Sequence, residues 1–208
     1  MIAIVDYSLG NLYSIGRSLD FLGLESAVTG DPAQIARADR IILPGVGAFG
    51  DAMEKLAERN LIAPICGRAA AGVPLMGICL GMQLLFEVGY EYGEHKGLGL
   101  LPGEVRPIAP DLPTPLKLPQ IGWNALRLRR PGALIPGVQD GDCVYYVHSY
   151  YAKCPDDVVV ASSEYGVEVP GVVERGNVVG CQFHPEKSGD VGLSMLAAFA
   201  RMPGGAPC

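Results

Sequence analysis

Pro74-Leu75-Met76-Gly77-Ile78-Cys79-Leu80-Gly81-Met82-Gln83 carries the strongest structural signal in the chain. The run Pro74 to Ile78 is short and apolar, so it reads as a buried strand of a parallel sheet. A glycine-bearing turn follows, and the apolar spacing beyond it predicts a helix over Leu80 to Phe86. Upstream, Ile2-Ala3-Ile4-Val5 and Arg40-Ile41-Ile42-Leu43 repeat the arrangement, with helices predicted over Leu12 to Leu22 and Phe49 to Arg59. Asp31-Pro32 adds a helix cap followed by a first-turn proline. This succession predicts an α/β fold with a mostly parallel sheet and flanking helices.

From Gly103 the texture changes. Six prolines fall between Pro102 and Pro119, a stretch read as an ordered surface excursion. Strand-like runs follow at Val144 to Val147, Val158 to Ala161, Val172 to Glu174 and Val178 to Phe183. Arg175-Gly176-Asn177 marks a hairpin turn between the last two. The second half thus adds an antiparallel or mixed β section, and Gly189 to Arg201 closes the chain with a helix. No internal repeat appears, and a single domain is expected over residues 1–202, with 203–208 as a frayed tail.

At 208 residues the chain suits one domain with a sizeable core. Hydrophobic residues make up 49% and charged residues 18%, with a mean hydropathy of +0.25, which excludes a disordered polymer. Net charge is −6, and the one basic cluster, Arg127, Arg129 and Arg130, is short, so no nucleic-acid partner is expected. The N-terminus has no basic start and meets Asp6 early, unlike a signal peptide. The longest apolar stretch, Val73 to Phe86, falls short of the ~20 residues of a membrane span. Six cysteines (66, 79, 143, 154, 181 and 208) form no C-x-x-C pair, which fits a reduced, cytoplasmic compartment in which a cysteine acts as a thiol.

Gly77-Ile78-Cys79-Leu80-Gly81 has the spacing of a nucleophile elbow with sulfur in place of oxygen. Glycines flank the nucleophile because a sharp strand-to-helix turn crowds its neighbours, and a helix N-terminus favours thiolate over thiol. A buried, inert cysteine in a tight turn is the plainer alternative. A thiolate needs an acid/base partner, and the chain has three histidines, His95, His148 and His184. In His184-Pro185-Glu186 the carboxylate lies two positions on, where an extended segment returns side chains to one face. Glu186 would orient the imidazole while its other nitrogen serves Cys79. His-Pro-Glu alone equally suits a surface histidine; beside an elbow it points to a triad. His148 and His95 are read as binding or structural residues. Pro44-Gly45-Val46-Gly47, at a strand end, offers backbone donors, so the Val46 and Leu80 N–H groups are the candidate oxyanion hole. No Cys/His pair has zinc-ligand spacing, and no phosphate loop follows Gly47, so no metal or cofactor is expected.

Taken together, Pro44 to Gly47, the Cys79 elbow extended through Gln83, and Gln182-Phe183-His184-Pro185-Glu186-Lys187-Ser188 make the chain resemble the class I glutamine amidotransferases. Four more segments are similar to the glutaminase subunits of imidazole glycerol phosphate synthase. These are Asp6 to Asn11, Gly45 to Met53, Gly122-Trp123-Asn124 and Val147-His148-Ser149-Tyr150. The resemblance implies a flavodoxin-like fold and hydrolysis of the glutamine side-chain amide through a glutamyl thioester. Gly47, Gln83, Glu91, Ser149 and Tyr150 would hold the glutamine. It also implies a (β/α)8-barrel cyclase partner in a heterodimer, faced by Asn11, Trp123, Asn124, Tyr145 and Lys187. The cyclase would use the ammonia to form imidazole glycerol phosphate and an aminoimidazole carboxamide ribonucleotide. Free ammonia is mostly ammonium near neutral pH, so a protected route is expected. The flexible Gly45-Val46 peptide is expected to become productive only when the barrel binds its ligand. Ser8 departs from the glycine common at its position, and Gln120-Ile121 from the usual His-Met. The alternatives are a glutaminase feeding another synthase (anthranilate or pyridoxal phosphate), an autonomous γ-glutamyl cysteine hydrolase, or a non-catalytic binding subunit.

Overall fold

The computed structural model describes residues 1–204. The first half alternates strand and helix: β1 (Ile2–Val5), α1 (Leu12–Phe21), β2 (Ser26–Thr29), α2 (Pro32–Ile35), β3 (Arg40–Leu43), α3 (Phe49–Glu58), α4 (Ile62–Ala70), β4 (Leu75–Ile78) and α5 (Leu80–Gln83). Short strands follow: β5 (Val88–Gly89), β6 (His95–Lys96), β7 (Glu104–Pro107), β8 (Gln120–Ala125), β9 (Arg127–Leu128), β10 (Cys143–His148) and β11 (Tyr150–Lys153). The chain ends with β12 (Val159–Glu164), β13 (Glu168–Arg175), β14 (Val178–Cys181) and α6 (Gly189–Arg201).

One eight-stranded sheet runs in the order β2-β1-β3-β4-β14-β13-β12-β9. Its first five members are parallel, in the spatial order of a doubly wound flavodoxin-like sheet. The other three are antiparallel, so the sheet is mixed as the sequence predicts. Strand alternation divides the core in two. Ile2, Ile4, Ile42, Met76 and Ile78 pack with Ile15 and Leu19 of α1 and Met195, Leu196 and Phe199 of α6. On the other face Ala3, Val5, Ile41, Leu43 and Leu75 pack with Phe49, Ala52 and Leu56 of α3 and Ile65 and Ala69 of α4. Both faces of the parallel part are therefore covered, which is why its strands read as unbroken apolar runs.

Two elements of the parallel half escape the sequence reading, as do β5 to β9 and β11 of the second half. Strand β2 lies at the sheet edge and fully buries only Thr29, so it carries no apolar run. Pro64 obscures α4, yet it stands in the first turn, where its missing N–H leaves no bond unmade. Other elements are shorter than predicted. Helix α5 stops at Gln83 instead of Phe86, because the carbonyls of Leu84, Leu85 and Phe86 accept from Leu98, Leu101 and Gly99 rather than from a continuing helix. Strand β14 ends at Cys181, two residues before Phe183. The proline-rich stretch is ordered, with β7 antiparallel to β11. Residues 205–208 of the expected tail lie outside the described residues. Arg129 pairs with Asp156 and Glu168 and Arg130 with Glu174, so acidic partners occupy most of the basic cluster. No helix among the described residues is long and apolar enough to cross a membrane.

Candidate active site

The carboxyl ends of β3, β4 and β14 converge on one cleft, together with the link between β10 and β11. Cys79 leaves β4 with φ 55° and ψ −114°, a positive φ that a side-chain-bearing residue rarely adopts. The turn is held by Cys79 N–H donating to the Cys181 carbonyl at 2.8 Å. Its glycines are obligatory for space. A Cβ on Gly81 would lie 1.9 Å from the Leu43 carbonyl oxygen, and one on Gly77 would lie 2.6 Å from the Gly81 oxygen. The elbow inferred from the pentapeptide is thus present. Since α5 is a single turn, however, its dipole is a smaller source of thiolate stabilisation than the predicted longer helix.

His184 follows β14, and its ring is buried. Nδ1 lies 2.8 Å from Glu186 Oε1, and the Glu186 side chain is wholly enclosed. The two meet by a route other than strand alternation. Pro185–Lys187 forms a 3₁₀ turn, in which Lys187 N–H bonds the His184 carbonyl and curls the carboxylate back onto the ring. Nε2 is free of other partners and turned toward the Cys79 sulfur. Burial opposes charge on His184, but the sulfur and Glu186 outweigh it and hold its pKa up to about 10. The balance of neighbours thus favours the protonated imidazole, which is the form that can give a proton.

The cleft is lined by Val46, Gly47, Cys79, Leu80, Gln83, Glu91, Ser149, Tyr150, His148 and His184, with a volume of about 270 Å³. It therefore gathers every sequence-predicted catalytic, oxyanion and glutamine-binding residue except Glu186, which supports His184 from behind. Gly47 has φ +95°, the region that favours glycine. Glu91 Oε2 accepts from the Phe49 N–H at 2.8 Å, fixing the start of α3, and burial pushes its carboxyl up. His148 donates from Nδ1 to the Tyr150 carbonyl at 2.8 Å, and burial lowers its pKa to about 4. His95 packs against Gly50, where a Cβ would lie 2.6 Å from its ring, so its role there is structural.

The expected partner-facing residues divide. Trp123 is 56% exposed and meets the Tyr145 ring edge-on at 5.9 Å, and Lys187 Nζ stands over the Tyr145 ring at 5.9 Å from its centroid. The Tyr145 carbonyl accepts from His184 N–H at 2.9 Å, tying this patch to the cleft histidine. Asn124 is half-buried, and alternation along β8 sets it on the face opposite Trp123, where it accepts from Gln120 Nε2 at 3.0 Å. Asn11, also half-buried, donates to Glu186 Oε1 at 3.1 Å. Sequence reasoning missed this contact and the buried Gln182, although Gln182 stands within the quoted His184 motif. Ser8 has φ 73°, which explains why glycine is common there, and Arg59 Nη2 donates to its hydroxyl at 2.6 Å. Among the described residues no group of three or more His, Cys, Asp or Glu side chains forms a metal site.

A thiol elbow, a histidine and carboxylate pair, and backbone donors at strand ends constitute acyl-transfer machinery. The family model for class-I glutamine amidotransferases matches residues 3–202, and the chain belongs to that family. Its relatives narrow the placement. The chain is 53% identical over 199 residues to "Imidazole glycerol phosphate synthase subunit HisH" of Bacillus cereus (strain G9842), covering 96% of this chain and 93% of that one. The subunit of the same name from Lactiplantibacillus plantarum is 52% identical over 202 residues, covering 97% and 96%. Among solved structures, a glutamine amidotransferase superimposes with a TM-score of 0.74 at 20% identity, covering 96% of this chain and 99% of that chain. The structure of PurLQS from Thermotoga maritima gives 0.73 at 22% identity, covering 95% and 96%. Both share the fold.

Proposed function

We propose that this chain is the glutaminase subunit of an imidazole glycerol phosphate synthase, working in the cytoplasm as a single amidotransferase domain over residues 1–202. It hydrolyses glutamine to glutamate and ammonia, and the ammonia passes to a (β/α)8-barrel cyclase in histidine biosynthesis. The Cys79 thiolate attacks the carboxamide carbon, and the negative oxygen that forms is met by the Val46 and Leu80 N–H groups. His184 gives its proton to the departing nitrogen, ammonia leaves, and a glutamyl thioester remains. Water then attacks the thioester, His184 takes its proton, and glutamate departs with Cys79 restored. Gln83, Gly47, Ser149 and Tyr150 hold the substrate. The Glu91 carboxylate suits its α-ammonium group.

The observation that carries this reading is the single cleft in which Cys79 and His184 meet beside Val46 and Leu80. The patch of exposed Trp123 and Lys187 about the half-buried Tyr145, tied to His184 by backbone, supports a docked cyclase. Cys66, Cys79, Cys143, Cys154 and Cys181 are all free thiols, in keeping with a reducing compartment.

The test is glutamate release from glutamine by the chain alone, and then with a purified barrel cyclase subunit and its nucleotide ligand. Strong stimulation by partner and ligand is expected. High activity alone, unchanged by the cyclase, would contradict the partner and remove the expected gating at Gly45-Val46.

A further inference from the structure

Gln182 is completely buried, and both ends of its side-chain amide are engaged. The direction of that amide follows from one fixed point. The Tyr150 carbonyl can only accept, so the Gln83 atom 2.9 Å from it is the donor Nε2. The same nitrogen reaches a Gln182 atom at 3.0 Å, which must then be the acceptor Oε1. This leaves Gln182 Nε2 as the atom 3.9 Å from Cys79 Sγ, a donor directed at sulfur. Reversing either amide would oppose like groups along the relay, so the network fixes the assignment.

The surroundings of the sulfur give this donor its importance. Val147 offers a carbonyl at 3.8 Å, which can receive a proton from a thiol but has nothing to give a thiolate. The titratable groups facing Cys79 are His184 from the end of β14, Tyr7 beyond β1 and Cys181 of β14, with Glu186 acting through His184 and His148 standing beside His184. Tyr7 donates its hydroxyl to the Pro44 carbonyl at 2.7 Å and is not turned to the sulfur. No lysine or arginine lines the cleft among the described residues. A sulfur anion formed here would have His184 as its one basic neighbour, and hydrogen bonds donated to a charged form favour that form.

We propose that Gln182 is the second donor to the nucleophile, its side-chain N–H holding the Cys79 sulfur as thiolate while Gln83 and the Tyr150 carbonyl lock the direction of donation. This rests on Cys79 being the nucleophile of the proposed glutaminase. The relay also couples the nucleophile to the substrate pocket, because Gln83 serves both.

Alkylation of Cys79 by iodoacetamide in the full chain, followed at the Cys79 peptide as a function of pH, reads the thiolate without glutamine or partner. Gln182→Met keeps the length of the side chain and removes the donor. Its alkylation profile is expected to move to higher pH, with about tenfold slower reaction on the acidic side and an unchanged alkaline plateau. A lowered plateau with an unmoved midpoint would assign Gln182 to packing alone and overturn the proposal. Should Gln182→Met fail to fold, Gln182→Leu removes the donor with a smaller apolar side chain. The same move to higher pH is expected there, and an unmoved midpoint again overturns the proposal. Glutamate release by the wild-type chain is measured in parallel with the barrel cyclase and its nucleotide ligand present. A displaced midpoint in a chain that leaves glutamine intact even in that complex would retain the donor and remove the glutaminase reading.

Discussion

Two histidines share the cleft and behave oppositely. His184, after β14, has a carboxylate on Nδ1 and the Cys79 sulfur beside Nε2, and its pKa rises to about 10. His148, at the end of β10, has a carbonyl on Nδ1 and an unpartnered Nε2, and its pKa falls to about 4. Both rings are buried. Burial penalises charge in each, so the neighbours decide the outcome: two negative partners reverse the penalty at His184, while a neutral carbonyl leaves it standing at His148. One ring can thus act as an acid and the other stays a neutral fixture of the wall.

The contrast can be broken in order of expected effect. Cys79→Ser removes the polarisable sulfur and leaves a far weaker nucleophile, so glutamate release should fall by orders of magnitude, as a steady-state assay with the cyclase present would show. Glu186→Gln makes His184 more like His148. Glutamate release should drop by up to about 10⁴-fold, the scale for neutralising a triad carboxylate. The alkaline limb of its pH profile should also move down from about pH 10. An unmoved limb would show that Glu186 plays no part in holding the proton.

Stability should follow the same opposition. The raised pKa of His184 contributes stability that is present below its unfolded value near ~6.5 and is lost as pH rises through about 10. The depressed pKa of His148 works the other way. Its contribution is present above ~6.5 and is lost as pH falls toward about 4, because only the unfolded ring takes up the proton. Thermal melts of His148→Phe should therefore lose less stability on acidification than the wild type. The smallest effect is expected for Asn11→Ala, which takes one donor from Glu186 and should slow turnover about three- to tenfold, near the ~1 kcal/mol of a single hydrogen bond.

How much of this was legible in the sequence differs between the two halves. The parallel half was readable because strands covered on both faces must be apolar throughout, and because Gly77 and Gly81 stand where any Cβ would collide with backbone. The edge strand β2 left no such trace. In the second half the pairing of His184 with Glu186 was foreseen, but through an extended segment where the chain makes a 3₁₀ turn. Pro185 serves either geometry, so the motif could not distinguish them. The hydrogen bonds that Asn11 and Asn124 make within the fold were hidden for another reason. A polar residue beside a partner patch and one bonded within the fold look alike in sequence, and only the register of β8 and the position of Glu186 separate them.

Neighbours, and not burial, set these two imidazoles apart, and nitrogen NMR of the two rings across a pH titration puts this to the test. His184 is expected to keep protons on both nitrogens through neutral pH and to lose one only near pH 10, while His148 stays neutral down to about pH 4 with its proton on Nδ1. A neutral His184 at neutral pH, or two rings titrating together, would contradict it.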